Sequence, residues 1–244
     1  MTSKPERVQE ESLSWDRHGT IVIIVMNVAV FLYSFWLKQG SPLQYTYFTL
    51  RYSLSLNGLQ HGAWWQLITF QFLHGGWIHI GLNLLLLHSI GPVLETTIGR
   101  GRYVALYLIS GSLGGLVHLV GAWSNPALFG HPVVGASAGI CGVLAALSAL
   151  YAEEEVKVYL FLLIPLKLRA KFLLLIVGLL SVAGVIFSNG TIRIPKWGWE
   201  IPLGNVAHLA HLGGFVGGLW CVNLFNVKPL PPLPENPPSD ENPH

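Results

Sequence analysis

The chain has 244 residues, 52% of them hydrophobic and only 11% charged, with a net charge of +2 and a mean hydropathy of +0.52. A soluble domain carries about 25% charged residues, so this composition excludes an ordinary soluble globule and implies a polytopic membrane protein in a lipid bilayer. No basic stripe is present, which argues against a nucleic-acid partner, and Cys141 and Cys221 both sit in apolar runs, so no disulfide framework is implied.

Residues 1–18 are polar and read as a cytoplasmic N-terminal tail, and residues 226–244 are dense in proline and read as a disordered tail. Between them, residues 19–225 hold six apolar stretches near the length needed to cross a bilayer, about 20 residues each. They are Gly19–Leu37, Trp77–Leu94, Arg102–Ala122, Val133–Tyr151, Lys171–Ser188 and Val206–Phe225. The expected fold class is all-α, a six-helix membrane bundle. The first stretch lacks a short apolar core ending in a small-residue cleavage site and reads as an anchor. The connection from Lys38 to Gly76 is long, carries Trp64-Trp65, and reads as a partly helical interfacial loop. The link from Ala152 to Ala170, broken by Pro165, reads as a surface segment. With the N-terminus cytoplasmic, ten Lys and Arg fall on that side and four on the other, which favours both termini in the cytoplasm and a plasma (inner) membrane location.

Polar side chains inside spans are costly and mark functional candidates. In this topology the second, fourth and sixth spans enter from the outer side, and their first turns carry His79 and Asn83, then Ser137, then His208 and His211. At about 100° per residue, Gly218 and Gly214 lie about 20° and 60° from the direction of His211, a face suited to close packing. On the fourth span Ser137 shares a face with Cys141, Ala145 and Ser148, so the Ser137 and His211 faces are candidate neighbours. His208 competes with His211 but points about 80° from Gly218, away from that seam. A hydroxyl beside an imidazole suggests an activated nucleophile and its base. No Asp or Glu lies at this depth, which points to a Ser-His dyad instead of a triad. His79, Asn83 and the Ser137 backbone N–H are candidate donors to an oxyanion. Gly135-Ala136-Ser137-Ala138-Gly139 fits G-x-S-x-G, but that motif needs a strand before it and a helix after it, and here a loop ending His131-Pro132 is expected to lead straight into a helix. No metal site is expected, because no histidines stand at a metal-ligand spacing with a carboxylate or thiol.

The sequence resembles the rhomboid intramembrane serine proteases. The resemblance rests on GASAG around Ser137, AHLGGFVGG around His211, the His79-x-x-x-Asn83 pair, the Trp-Trp loop, and the Gly91-Pro92-Val93-Leu94-Glu95 exit from the second span. It implies a six-helix bundle without cofactor in which Ser137 is nucleophile, His211 general base, and His79 and Asn83 support the oxyanion. It also implies a serine-type endopeptidase that cuts single-span or other transmembrane protein substrates near the outer membrane face. Two positions depart from the family pattern: Ala138, where many members have glycine, and Gln66, where many have arginine, which removes an ion pair from the loop. Two other functions compete with the protease: a non-catalytic rhomboid-like protein that only binds membrane segments, and a small proton-coupled transporter.

Overall fold

A computed structural model describes residues 18–153, 155–160, 164–187, 191–194, 199–202 and 207–228. Its helices are α1 (His18–Gly40), α2 (Pro42–Tyr52), α3 (Leu56–Gln60), α4 (Gln66–Thr69), α5 (Trp77–Ile98), α6 (Arg100–Ser124), α7 (Pro126–Phe129), α8 (Ser137–Leu150), α9 (Ala170–Ile186) and α10 (His208–Leu224). Three of these, α1, α5 and α6, are long and apolar enough to cross a membrane, with 23, 22 and 25 residues. The other three expected spans correspond to shorter helices of 14 residues (α8) and 17 residues each (α9 and α10). Nearly all of both tails, as well as Ser188 and Val206 at the ends of expected spans, lie outside the described residues.

The chain is mainly helical, and two antiparallel hairpins interrupt the all-α expectation. The expected surface segment is one of them: β1 (Glu155–Leu160) pairs with β2 (Ile164–Arg169), with Tyr159 opposite Pro165. Glu155, Val156, Lys157, Val158 alternate with the period of a strand, which a helix could not use to bury one face. At its base Glu153 binds both Arg169 and Lys171, and the Lys171 ammonium holds the exposed carboxyl below its ordinary value. The second hairpin, β3 (Thr191–Ile194) with β4 (Trp199–Pro202), lies between α9 and α10.

The expected Val133–Tyr151 span starts late. Val133 exchanges both backbone hydrogen bonds with Leu54, at 3.0 and 2.9 Å, forming a one-residue bridge, and the helix begins only at Ser137. That bridge ties the loop between α1 and α5 to the bundle, and Leu54, Phe70 and Leu119 form a small core beneath it. The loop is helical in pieces (α2, α3, α4). Ser55 caps α3 by accepting from the Gly58 N–H, and Pro42 opens α2 at the first position, where its fixed φ suits a helix and its missing N–H costs nothing. The uncharged Gln66 anchors the loop internally: its amide donates to the Leu50 and Arg51 carbonyls and its oxygen accepts from the Ser55 N–H at 3.2 Å. Trp65 adds an indole N–H bond to the Arg51 carbonyl at 2.9 Å, while Trp64 stays exposed.

The bundle closes around α10, which packs mainly against α6 and α8. Small residues make this possible. A Cβ at Gly214 would stand 2.1 Å from the Ala138 carbonyl oxygen, and one at Gly218 would stand 2.1 Å from that of Gly142. Backbones that touch in this way gain dispersion where lipid offers no hydrophobic drive between helices. The face of α8 turned to α10 is therefore Ala138 and Gly142, one residue along from the expected Ser137–Cys141 stripe.

At the far end of α5, Glu95 is fully buried and caps α1. Its carboxyl oxygens accept from the Gly19 N–H at 2.6 Å, the Thr20 N–H at 2.8 Å and the Thr20 hydroxyl at 2.7 Å. These N–H groups belong to the first turn of α1, which has no partner within its own helix, and the positive end of that helix favours an acceptor there. Glu95→Ala strands those donors in an apolar environment. It is expected to lower stability by about 2–4 kcal/mol, read as a lower midpoint of thermal unfolding in detergent, with Glu95→Gln losing less.

Candidate active site

Ser137 is the first residue of α8, so its side chain stands where a loop turns into a helix whose first N–H groups have no partner within the helix. Gly135 makes that turn. It holds φ at +131°, a conformation side-chain-bearing residues rarely adopt, and a Cβ there would come within 2.8 Å of the His79 ring. Its N–H donates to the Phe70 carbonyl at 2.9 Å, which pins the turn to the loop between α1 and α5. Ser137–Gly139 of the G-x-S-x-G segment already lie in α8, and the pairing before them is the isolated bridge at Val133, so the segment leads from a loop into a helix with no strand before it among the described residues.

His211 lies on the first turn of α10. Its Nε2 is 2.8 Å from the Ser137 hydroxyl, and its Nδ1 is 3.3 Å from the hydroxyl of Ser181 on α9. The glycine contacts of α10 with α8 fix this pairing, because Gly214 and Ala138 are each close in sequence to one partner. Ser181 is a buried residue that sequence reasoning missed. The available signal was its position as a lone hydroxyl in the apolar run of α9.

His79 and Asn83 lie one turn apart on α5. Together with Ser137 and His211 they line a cavity of about 590 Å³ whose remaining wall includes Val177 and Pro132. All four sequence-nominated residues therefore meet in one space. The Gly75 N–H approaches His79 Nδ1 at 3.4 Å, an acceptor role that leaves the ring proton on Nε2, the nitrogen beside Gly135. The Asn83 amide donates to the His79 carbonyl at 2.8 Å, one of its two N–H groups. Among the described residues, the cavity lining contains no carboxylate.

His208 does not line this cavity. Its ring packs against Gly184 of α9, where a Cβ would approach it to 2.2 Å, and its centroid is 5.9 Å from that of His211. His74, scattered from the others in the sequence reading, is buried with its ring 5.0 Å from that of His79. His88 lines a separate cavity beside the β1–β2 hairpin, and His118 is buried on α6 against Phe129.

Fold and site together define a class of protein: a bundle of apolar helices that holds a serine and a histidine in hydrogen-bond contact within a largely apolar cavity that also carries His79 and Asn83. The family model of the Rhomboid domain matches residues 61–226, more than half of the chain, and the chain belongs to the rhomboid family. It is similar to the rhomboid protease GluP of Bacillus subtilis, 29% identical over 169 residues, which is 69% of this chain and 27% of that protein. It is also similar to the rhomboid protease AarA of Providencia stuartii, 29% identical over 152 residues (56% of this chain, 52% of that protein). A third similar protein is the mitochondrial rhomboid protein 1 of Saccharomyces cerevisiae, 30% identical over 149 residues (57% and 38%). The chain spans about half or less of the length of these relatives.

Burial, reinforced by the neighbouring His79 ring, lowers the His74 imidazole in the loop before α5 from 6.5 to about 3. The unfolded chain binds a proton there below about pH 6.5 that the native state refuses until about pH 3, so stability is lost as pH falls through that window. Acidification from pH 7 to 5 is expected to cost about 2 kcal/mol through this group. His74→Leu should remove that part of the slope in unfolding midpoints measured against pH.

Proposed function

We propose that this protein is an intramembrane serine endopeptidase that cleaves transmembrane segments of membrane proteins near the outer membrane face. The observation that carries the reading is the 2.8 Å contact between Ser137 Oγ and His211 Nε2 inside the cavity shared with His79 and Asn83. His211 takes the serine proton on Nε2 as Oγ adds to the scissile carbonyl, then returns that proton to the departing amine. Water hydrolyses the acyl-enzyme by the same exchange. The developing oxyanion meets His79 Nε2–H, the free N–H of Asn83 and the unpartnered N–H groups at the start of α8, and the helix dipole adds to their effect.

The geometry of α8 supports a site below the membrane surface. Its 14 residues extend about 21 Å, short of the roughly 30 Å hydrocarbon core. Six spans with both termini in the cytoplasm follow if the shorter helices α8, α9 and α10 cross together with α1, α5 and α6, in line with the distribution of Lys and Arg. Substrates are then single-span or other transmembrane proteins that unwind into the cavity, and the chemistry draws on the chain's own side chains alone. The proteases among the relatives support the same activity.

The test is cleavage of a single-span reporter by purified protein in liposomes. Ser137→Ala and His211→Ala are expected to abolish cleavage, and cleavage that survives in Ser137→Ala would sink the reading in favour of a protein that only binds membrane segments. Asn83→Ala should lower kcat by about 10²-fold, the scale of losing one oxyanion donor. His208→Ala should retain clear activity, since that ring sits against Gly184 and off the cavity.

A further inference from the structure

Ser181 has a defined hydrogen-bonding direction. It is buried on α9 and its hydroxyl donates to the Val177 carbonyl one turn earlier, at 2.8 Å. A hydroxyl has one proton to give. With that proton spent on Val177, the contact of Ser181 Oγ with His211 Nδ1 is one in which the imidazole is the donor. An imidazole that carries its proton on Nδ1 presents a lone pair at Nε2, and Nε2 is the nitrogen 2.8 Å from the Ser137 hydroxyl. The opposite tautomer would place a proton between Nε2 and Ser137 and leave the nucleophile without a base.

On this basis, and resting on the protease reading, we infer that the Ser181 hydroxyl is a positioning group for His211: it accepts the Nδ1–H, fixes the tautomer and aims Nε2 at Ser137. It occupies the place a carboxylate holds in a triad, but as a neutral acceptor. A carboxylate there would be a buried charge costing several kcal/mol, whereas the Ser181 hydroxyl, oriented by its bond to Val177, stays satisfied in both directions. The 3.3 Å separation is at the long end for a hydrogen bond. Bonds of this kind shorten when the base becomes cationic, because charge-assisted contacts are stronger, so the hydroxyl stabilises imidazolium more than imidazole and acts on the chemical step.

The experiment compares Ser181→Ala, Ser181→Val and Ser181→Thr with the wild type in detergent. It reads kcat and KM on a single-span reporter, the rate at which a fluorophosphonate labels Ser137, and the histidine side-chain ¹⁵N spectrum, with His211 assigned through His211→Gln. Loss of one such bond corresponds to about a tenfold drop in kcat and in labelling rate with KM unchanged. Ala and Val are expected to behave so, with the Nδ1–H signal of His211 replaced by a mixture of tautomers, and Thr to restore both rate and spectrum. Thr and Val fill nearly the same volume, so equal losses in the two would mean packing alone and overturn the proposal, as would wild-type kcat in Ser181→Ala. Where Ala or Val fails to fold, the wild-type spectrum decides, and a His211 protonated on Nε2 overturns it. If the wild type neither cleaves the reporter nor takes the probe, the protease reading itself falls, and the catalytic purpose of Ser181 with it. Wild-type activity with the wrong tautomer removes Ser181 alone.

Discussion

The backbones of α8 and α10 touch at two places, Gly214 against the Ala138 carbonyl and Gly218 against that of Gly142, with no room for a methyl group at either glycine. Helices that meet through side chains pack 8–10 Å apart and can shift by rotamer adjustment, whereas a seam of this kind has no adjustable atoms. His211 lies three residues before Gly214 and Ser137 immediately before Ala138. Their separation is therefore set by main chain against main chain, and the 2.8 Å contact inherits that rigidity. The rest of the site is arranged around it: α5 brings His79 and Asn83 to the cavity wall, Ser181 of α9 meets His211 on its Nδ1 side, and the loop between α1 and α5 holds the turn at Gly135 through Phe70.

The groups around His211 are neutral by composition as well as by geometry. A carboxylate in a low-dielectric site needs charge partners and several hydrogen bonds to hold it, and among the described residues the buried acid is elsewhere, at Glu95, where three donors from α1 surround it. In the cavity the acceptors and donors are hydroxyl, imidazole and amide. The proposed chemistry thus rests on donors held in place before the charge develops, in surroundings where each hydrogen bond is electrostatically stronger than in water.

The residues that carry local signals were legible in the sequence. The spans of α1, α5 and α6 follow from continuous apolar runs, and the meeting of Ser137, His211, His79 and Asn83 follows from helical spacing together with depth. What escaped depends on pairing between distant parts of the chain. Val133–Ala136 is as apolar as a helix start, and only its partner Leu54, in another segment, makes it a bridge and delays α8 to Ser137. Ser181 looks like any span serine bonding its own helix, and its second contact exists only because α9 lies beside α10 in one rotation. The β1–β2 hairpin shows its alternation over few residues, too short a stretch to outweigh a neighbouring apolar run.

Gln66 stands where many family members have arginine, so the loop between α1 and α5 lacks that ion pair. The Gln66 amide reaches the Leu50 and Arg51 carbonyls and the Ser55 N–H instead, from a buried position. An anchor with no formal charge attracts no counterions, so the dissolved salt that weakens exposed ion pairs over a Debye length of about 8–10 Å leaves it untouched. A loop held this way keeps the same grip in brine and in fresh water.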